Sequence, residues 1–270
     1  MKVLLTGASG NFGSEFIEQA NFDVGQLNRG DWNELGEKLT SGISVVIHAA
    51  SDLRSSAAVS PVKLLDSNLL STARLLEAVR EHQIPRLIFL SSCAVYGEDM
   101  RTNEDSKCCP TSINGINKLL NEKIIAEFCT MHKIEYKVLR IFNMYGGRDH
   151  FSIFSHMERA LKTGVPFTLN NRGIAQRDFI HVSDVAKIVH LLLDKYVPYT
   201  HLNIGTGIAT KISTLVELVR ERFPDMPIRH AQLEEAEYSR ANITRLLRIA
   251  DGHFIRIEDY LRNDFMRNTV

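Results

Sequence analysis

Short apolar runs punctuate the first half of the chain, at Lys2–Thr6 and over 24–27, 45–49, 87–91 and 136–141. Their length and near-continuous apolar character predict strands buried on both faces. Between them, apolar residues recur three and four apart, as in Leu64, Leu65, Leu69, Leu75, Leu76 and Val79, with Pro61 at the start of that helix. The helix after the second run is short, about 32–39. Strand and helix alternating in this way predict a parallel sheet covered by helices on both faces. Beyond Ile141 the regularity loosens. Segments 151–162 and 182–193 read as helices, 175–181 as extended, His201–Ile204 as a strand and 212–223 as a helix. The tail over 225–270 is more charged and ends in an amphipathic stretch, 257–265. With no repeat, low-complexity stretch or long linker, the C-terminal part is expected to pack on the sheet as a lobe.

Composition changes this picture only by exclusion. The 270 residues carry 32 basic and 32 acidic side chains, a formal charge of zero, without the basic stripe expected of a nucleic-acid binder. No apolar run approaches the roughly 20 residues that cross a bilayer. Met1-Lys2-Val3 leads straight into a glycine turn, so no signal peptide is expected ahead of the fold. Cys93, Cys108, Cys109 and Cys129 lack zinc-site spacing, and adjacent Cys108 and Cys109 pair poorly. Ten histidines without paired ligand spacing predict no metal site. A reduced, cytoplasmic protein is the expectation.

The first strand runs into Thr6-Gly7-Ala8-Ser9-Gly10-Asn11-Phe12-Gly13, and a helical pattern follows. Glycines there allow a tight turn, a close approach of phosphate to backbone N–H groups, and close packing of helix on strand. A pyrophosphate would sit on the positive end of that helix, so Gly7, Ser9, Gly10, Asn11, Phe12 and Gly13 are candidate dinucleotide contacts. An acid at the end of the second strand would hold a ribose 2′-OH, whereas an arginine there accommodates a 2′-phosphate. This strand ends Leu27-Asn28-Arg29. The reading is therefore NADP or NAD with a lean to NADP, Arg29 being either a phosphate contact or a solvated loop residue. Asp31, just beyond, is placed to accept from an adenine amino group.

The Gly-x-x-Gly-x-x-Gly spacing and Val46-Ile47-His48-Ala49-Ala50 open a series of motifs. It continues through Asn68-Leu69-Leu70, Leu90-Ser91-Ser92-Cys93-Ala94-Val95-Tyr96-Gly97 and Leu139-Arg140-Ile141-Phe142-Asn143-Met144-Tyr145-Gly146. Arg177-Asp178-Phe179-Ile180-His181-Val182 and Asn203-Ile204-Gly205-Thr206-Gly207 complete it. In these residues the chain resembles the extended short-chain dehydrogenase/reductases, the nucleotide-sugar epimerase/dehydratase family. The resemblance implies an α/β fold, a Rossmann-type doubly wound parallel sheet with a small C-terminal substrate-binding lobe. The dinucleotide-binding domain would cover 1–165, with 182–208 returning to it, and the lobe 166–181 and 209–270. It further implies hydride transfer at a sugar carbon, cofactor contacts at Ala49, Ala50, Asn68 and Lys118, and a homodimer through the helices around 62–82 and 114–131.

The family's chemistry is done by a Ser or Thr, a Tyr and a Lys, with Tyr four residues before Lys. Ser92 and Lys118 fall at the first and last of these places, but the tyrosine position holds Asn114. No tyrosine occurs from Asp105 to Lys133. An amide cannot donate a proton and carry the resulting charge, although it can hydrogen-bond a carbonyl. Either another group, such as Ser92, Cys93, Tyr145 or water, supplies the proton, or the protein is a non-catalytic, regulatory binder of cofactor or nucleotide sugar. A substitution introduced at this place is the third reading.

Other positions refine the substrate. Family dehydratases carry Asp and Glu where this chain has Cys93 and Ala94, which argues against water elimination. Cys93 is either a proton donor or a small core residue. Arg177 matches an arginine that holds the substrate diphosphate, or else it pairs with Asp178 or Asp184. Asn143 matches a residue near the nucleotide, and Arg240 is a candidate replacement for a C-terminal arginine–acid pair that is missing.

Overall fold

Successive residues of the first apolar run face opposite ways: Val3 and Leu5 enter one buried cluster and Leu4 another. Such a strand needs cover on both sides, and the computed structural model supplies it. The structure describes residues 1–39, 42–52, 60–98, 102–233 and 236–267, so parts of the charged tail at 225–270 lie outside the described residues.

In chain order the elements begin with β1 (Lys2–Thr6), α1 (Asn11–Gln19), β2 (Asp23–Leu27), α2 (Leu35–Lys38) and β3 (Ile43–His48). Then come α3 (Pro61–Leu65), α4 (Ser71–Glu81), β4 (Arg86–Ser92), α5 (Ile113–His132), β5 (Glu135–Ile141) and β6 (Asn143–Tyr145). The rest are α6 (Ile153–Thr163), β7 (Phe167–Asn170), β8 (Gln176–His181), α7 (Val182–Asp194), β9 (His201–Ile204) and β10 (Ala209–Lys211). Last are α8 (Ile212–Arg222), β11 (Ile228–Ala231), β12 (Tyr238–Ser239) and α9 (Ile257–Asn263).

Six strands form one parallel sheet in the order β2-β1-β3-β4-β5-β9. On one face Phe12 and Phe16 of α1 and Val185, Val189 and Leu192 of α7 bury Val3, Leu5 and Ile47. On the other, Leu75, Leu76 and Val79 of α4 and Ile125 of α5 bury Leu4, Val46 and Phe89. This is the doubly wound α/β sheet expected. A third core, with Tyr145, Phe154, Phe179, Leu215 and Tyr260, lies among β6–β8, α6, α8 and α9.

Two helices depart from their sequence pattern. The segment expected as one helix over 61–82 is widened between α3 and α4 by a π-helical turn, Asp66–Leu70. That turn carries Asn68, whose buried side chain hydrogen-bonds the backbone of Asp52, and π turns recur where a side chain must be re-aimed. The short helix expected at 32–39 is a 3-10 turn, Arg29–Glu34, followed by α2. It starts early because Asn28 and Asp31 cap each other's backbone N–H.

Candidate active site

β2 and β3 flank β1 on opposite sides, so the chain leaves the sheet in opposite directions there, and a crevice opens at the carboxyl ends of the strands. A cleft of about 840 Å³ occupies that edge. Its floor is the glycine turn. Gly7 has φ +71°, and a Cβ on it would lie 2.8 Å from Ala50 N; on Gly13 it would lie 2.4 Å from Gly7 O. Gly10 precedes α1 and contributes no side-chain cap, which leaves the first N–H groups of the helix for a ligand. The cradle that a pyrophosphate needs is therefore present. Gly7, Gly10, Asn11, Phe12, Gly13 and Ala49 line it. The Asn11 side chain is also a strut, donating to Gly146 O at 2.9 Å and accepting from Arg148 N at 2.7 Å.

At the end of β2 the expected cofactor contacts Asn28 and Asp31 are hydrogen-bonded to each other's turn. Asn28 Oδ1 accepts from Ser9 N at 2.8 Å and from Asp31 N. Asp31 Oδ2 accepts from Asn28 N at 2.9 Å and lies 3.9 Å from Lys38 Nζ. Neither residue lines the cleft; through Asn28 Oδ1 and Asp31 Oδ2, which accept from backbone N–H groups, the two brace the turn that does. Ser9 and Ala50 line an adjoining recess with Trp32, Ser51 and Asp52. Arg29 borders both spaces, and its guanidinium lies 3.8 Å from the buried carboxylate of Asp52.

Asn68 is likewise set back. It accepts from Asp52 N at 2.6 Å and donates to Asp52 O at 3.2 Å, so it holds the loop that meets a ligand. A buried polar chain supports the same loop. Ala50 N donates to Thr6 Oγ1 (3.1 Å), which meets His48 Nδ1 (2.7 Å), and His48 Nε2 meets Thr72 Oγ1 (2.9 Å). Thr72 Oγ1 in turn donates to Asn68 O (2.8 Å). Burial, and secondarily the charge of Lys118, push His48 down to about 3, so the imidazole is neutral. With Thr6 accepting from Ala50 and Thr72 donating to Asn68, the ring proton sits on Nε2.

Ser92, Asn114 and Lys118 all reach the cleft. Ser92 ends β4, and its Oγ accepts from Ala94 N at 3.2 Å. Asn114 and Lys118 lie one turn apart on α5 and so share a face. Lys118 Nζ donates to Leu90 O at 2.7 Å and lies 4.9 Å from the Phe89 ring centroid. Burial pulls its pKa down to about 8, against the opposing pull of Glu122. One turn further, Glu122 receives the Ser91 hydroxyl and both guanidinium edges of Arg140. Arg140 Nη1 also donates to Tyr96 Oη at 3.0 Å, and Tyr96 donates to Asn203 Oδ1 at 2.6 Å.

On the substrate side, Cys93, Asn143 and Arg177 line the cleft. Burial pushes the Cys93 thiol up to about 11, over opposing bonds from Ser239 and Ser92, so at neutral pH it is a thiol. Asn143 donates to Asp178 O at 2.8 Å. Arg177 Nη1 donates to Gln176 O at 2.9 Å. Asp178 itself is fully buried and accepts from Thr206 N and Oγ1, Gly207 N and Ala241 N. It is a structural hub. Two candidates stand outside the cleft lining. Arg240 is exposed and off the cleft wall. Tyr145 is fully buried, and its hydroxyl donates to Ile255 O at 3.3 Å, which leaves it no path to a substrate proton.

The structure adds Asp52, Phe142, Phe151 and Ser152 to the lining. Of these, Ser152 had a local signal: its side chain caps α6, and Asp149 Oδ1 accepts from Phe151 N and Ser152 N, an acid–turn–helix start. Asp52 had one too, as an acid directly after the Ala49-Ala50 strand end. Among the described residues no group of three or more His, Cys, Asp or Glu side chains is placed to hold a metal, and no helix is long and apolar enough to cross a membrane.

Comparison with known proteins agrees with this geometry. A UDP-glucose 4-epimerase of Corynebacterium glutamicum is 28% identical over 264 residues, covering 82% of this chain and 80% of its own. A candidate UDP-glucose 4-epimerase of Methanocaldococcus jannaschii is 31% identical over 252 residues, 81% of each chain. Among solved structures, MoeE5 in complex with UDP-glucuronic acid and NAD superposes with a TM-score of 0.87 at 26% identity, over 100% of both chains. The Thermus thermophilus UDP-glucose 4-epimerase complex with NAD gives 0.86 at 25%, also over 100% of both. Residues 3–205, from the first strand through the glycine cradle to the end of the last sheet strand, match the family description as one stretch, and the chain belongs to the NAD dependent epimerase/dehydratase family.

Proposed function

We propose that the protein binds a nicotinamide dinucleotide along the glycine cradle and a nucleotide sugar beside it, and that it acts as an oxidoreductase or isomerase at a sugar carbon. The observation that carries this reading is the meeting of the Gly7–Gly13 turn with Ser92, Asn114 and Lys118 in one cleft. A bound nicotinamide would supply the hydride acceptor or donor. The protein's own groups do the rest. Lys118 holds the ribose, Ser92 bonds the reacting oxygen, Asn114 polarises that oxygen, and Arg177 faces the diphosphate with Asn143 beside it. NAD is the better-supported cofactor. The Asp52 carboxylate 3.8 Å from Arg29 already occupies that guanidinium and would repel a 2′-phosphate, and the related complexes named above hold NAD.

Asn114 favours a second reading, a binding protein that has lost turnover. Purified chain incubated with UDP-sugars while nicotinamide absorbance and sugar epimers are followed separates the two. Turnover by the native chain establishes the enzyme; activity confined to Asn114→Tyr, with binding unchanged, establishes the binder.

The proposal includes a homodimer. Val62, Leu65 and Leu70 on the α3 side and Ile113, Ile116 and Leu120 on α5 are exposed, and apolar residues gathered on neighbouring helices suit a subunit contact. Light scattering is expected to give twice the 30.5 kDa chain mass. A cytoplasmic setting is part of the same reading.

A further inference from the structure

A second groove, of about 740 Å³, lies outside the cleft, between α1 and α6. The two spaces share Asn11 and Asp149 in their linings. The Asn11 side chain, which donates to Gly146 O and accepts from Arg148 N, stands between them. The walls of the groove carry opposite charge. Glu15 and Glu18 lie three residues apart on α1, and Arg159 and Lys162 three apart on α6, so each pair shares one helix face. Arg148 joins the basic side from the turn that leads to α6. Among the described residues none of these five makes an ion pair, within the groove or outside it. Glu15 Oε1 accepts from Gln19 Nε2 at 2.8 Å, which leaves its other oxygen and both of Glu18. The remaining acids are engaged by the backbone: Asp149 accepts from Phe151 N and Ser152 N, and Glu158 from Met266 N. His150 and His156 stand beside the cations and, neutral or protonated, add no negative charge.

We infer that this groove is a binding site for a small zwitterion, a phosphate ester that also carries an ammonium group. Its phosphate rests on Arg148, Arg159 and Lys162, and its ammonium on Glu15 and Glu18. An anion alone would meet the two glutamates, and a cation alone the three basic groups; a ligand bearing both charges meets neither repulsion. Two guanidinium forks and an ammonium suit phosphate oxygens, and a pair of carboxylates suits one ammonium. The volume falls in the range of small-molecule sites, roughly 300–1,000 Å³. Because Asn11 separates the groove from the cleft, the zwitterion and a dinucleotide are bound together. The inference is independent of the nucleotide-sugar reading.

The test uses the full chain and a series of ω-aminoalkyl phosphates of graded length, each beside the alkyl phosphate and the alkylamine of equal length, in ligand-observed NMR titrations at low salt. The best-fitting aminoalkyl phosphate is expected to bind at least about threefold more tightly than either one-charge analogue, the size of effect open to partly exposed ion pairs. Glu18→Gln is expected to remove the advantage over the alkyl phosphate without weakening the alkyl phosphate itself. Lys162→Met is expected to weaken every phosphate by a similar factor while the amines are not weakened. Glu18 and Lys162 are both exposed, so both variants keep the fold. Saturating NAD and UDP are expected to leave these affinities unchanged; displacement of the probe by either would place it in the cleft and overturn the inference. Equal binding of aminoalkyl and alkyl phosphates at every length, or an advantage that Glu18→Gln leaves intact, would overturn it as well.

Discussion

Arg140 Nη2 lies 2.8 Å from Glu122 Oε2, and both side chains are almost wholly excluded from solvent, one helical turn beyond Lys118. The pair ties the C-terminal end of β5 to α5, the helix that carries Asn114 and Lys118 into the cleft. Its remaining bonding capacity is filled by Ser91, Tyr96 and Glu104 O. A buried ion pair is tolerable when both partners are fully hydrogen-bonded, and breaking one side strands the other charge.

Glu122→Gln is accordingly expected to lower stability by about 3 kcal/mol, read as a shift in the urea midpoint at unchanged slope. The double change Glu122→Leu with Arg140→Met should cost less than the sum of the single changes, because it removes both charges together. Additive single effects would show that the two side chains are not coupled.

Gly13→Ala addresses the cradle. A Cβ there would sit 2.4 Å from Gly7 O and 2.6 Å from Ala8 O, both backbone atoms that cannot swing aside. The glycine turn must shift, and the N-terminus of α1 shifts with it. Dinucleotide affinity is expected to fall at least tenfold, ~1.4 kcal/mol, with the fold retained by circular dichroism. Unchanged affinity would remove the turn from the binding site.

The strands were legible because each is a short apolar run between turn signals, and the glycine turn because its spacing and its position after β1 coincide. Less was readable where side chains act through the backbone. Nothing in the sequence distinguishes an asparagine that touches a ligand from Asn28, which holds Ser9 N, or Asn68, which holds Asp52 across a π turn. Arg140 was a missed signal of another kind. A charge inside Val138-Leu139-Arg140-Ile141 breaks an apolar run, and such a charge needs a buried partner. That its partner is Glu122 depends on how α5 docks, which periodicity does not specify. Arg240 lies off the cleft wall, and a lone exposed arginine in a charged tail carries no positional information in the sequence.

Cysteine reactivity separates two environments. The Cys93 thiol, pushed up to about 11, is deprotonated in roughly one molecule in a thousand at pH 8. Cys109 is exposed. Maleimide labelling followed by peptide mass spectrometry is expected to modify Cys109 well before Cys93. Equal rates for the two would mean that the Cys93 thiol is not raised.

Lys118 gives a pH signature that belongs to the fold and needs no ligand. Its pKa is 10.5 as a free side chain and about 8 in the folded protein, chiefly because burial disfavours the ammonium. Between those values the unfolded chain binds more protons than the folded one, so stability rises with pH across that window. Below about pH 8 both states are protonated and the whole cost is present, about 3 kcal/mol. Lys118→Met lacks this titration. The variant is expected to be more stable than the native chain at pH 7 by up to that amount, and to lose the advantage by pH 10.5, as other titrating groups cancel in the comparison. Dinucleotide binding should weaken in the variant at every pH, since a buried charge retained at a cost to stability is what a functional group at a cleft looks like. Urea unfolding of both proteins at pH 7, 8.5 and 10 decides it: parallel stability curves would place the Lys118 ammonium in contact with water.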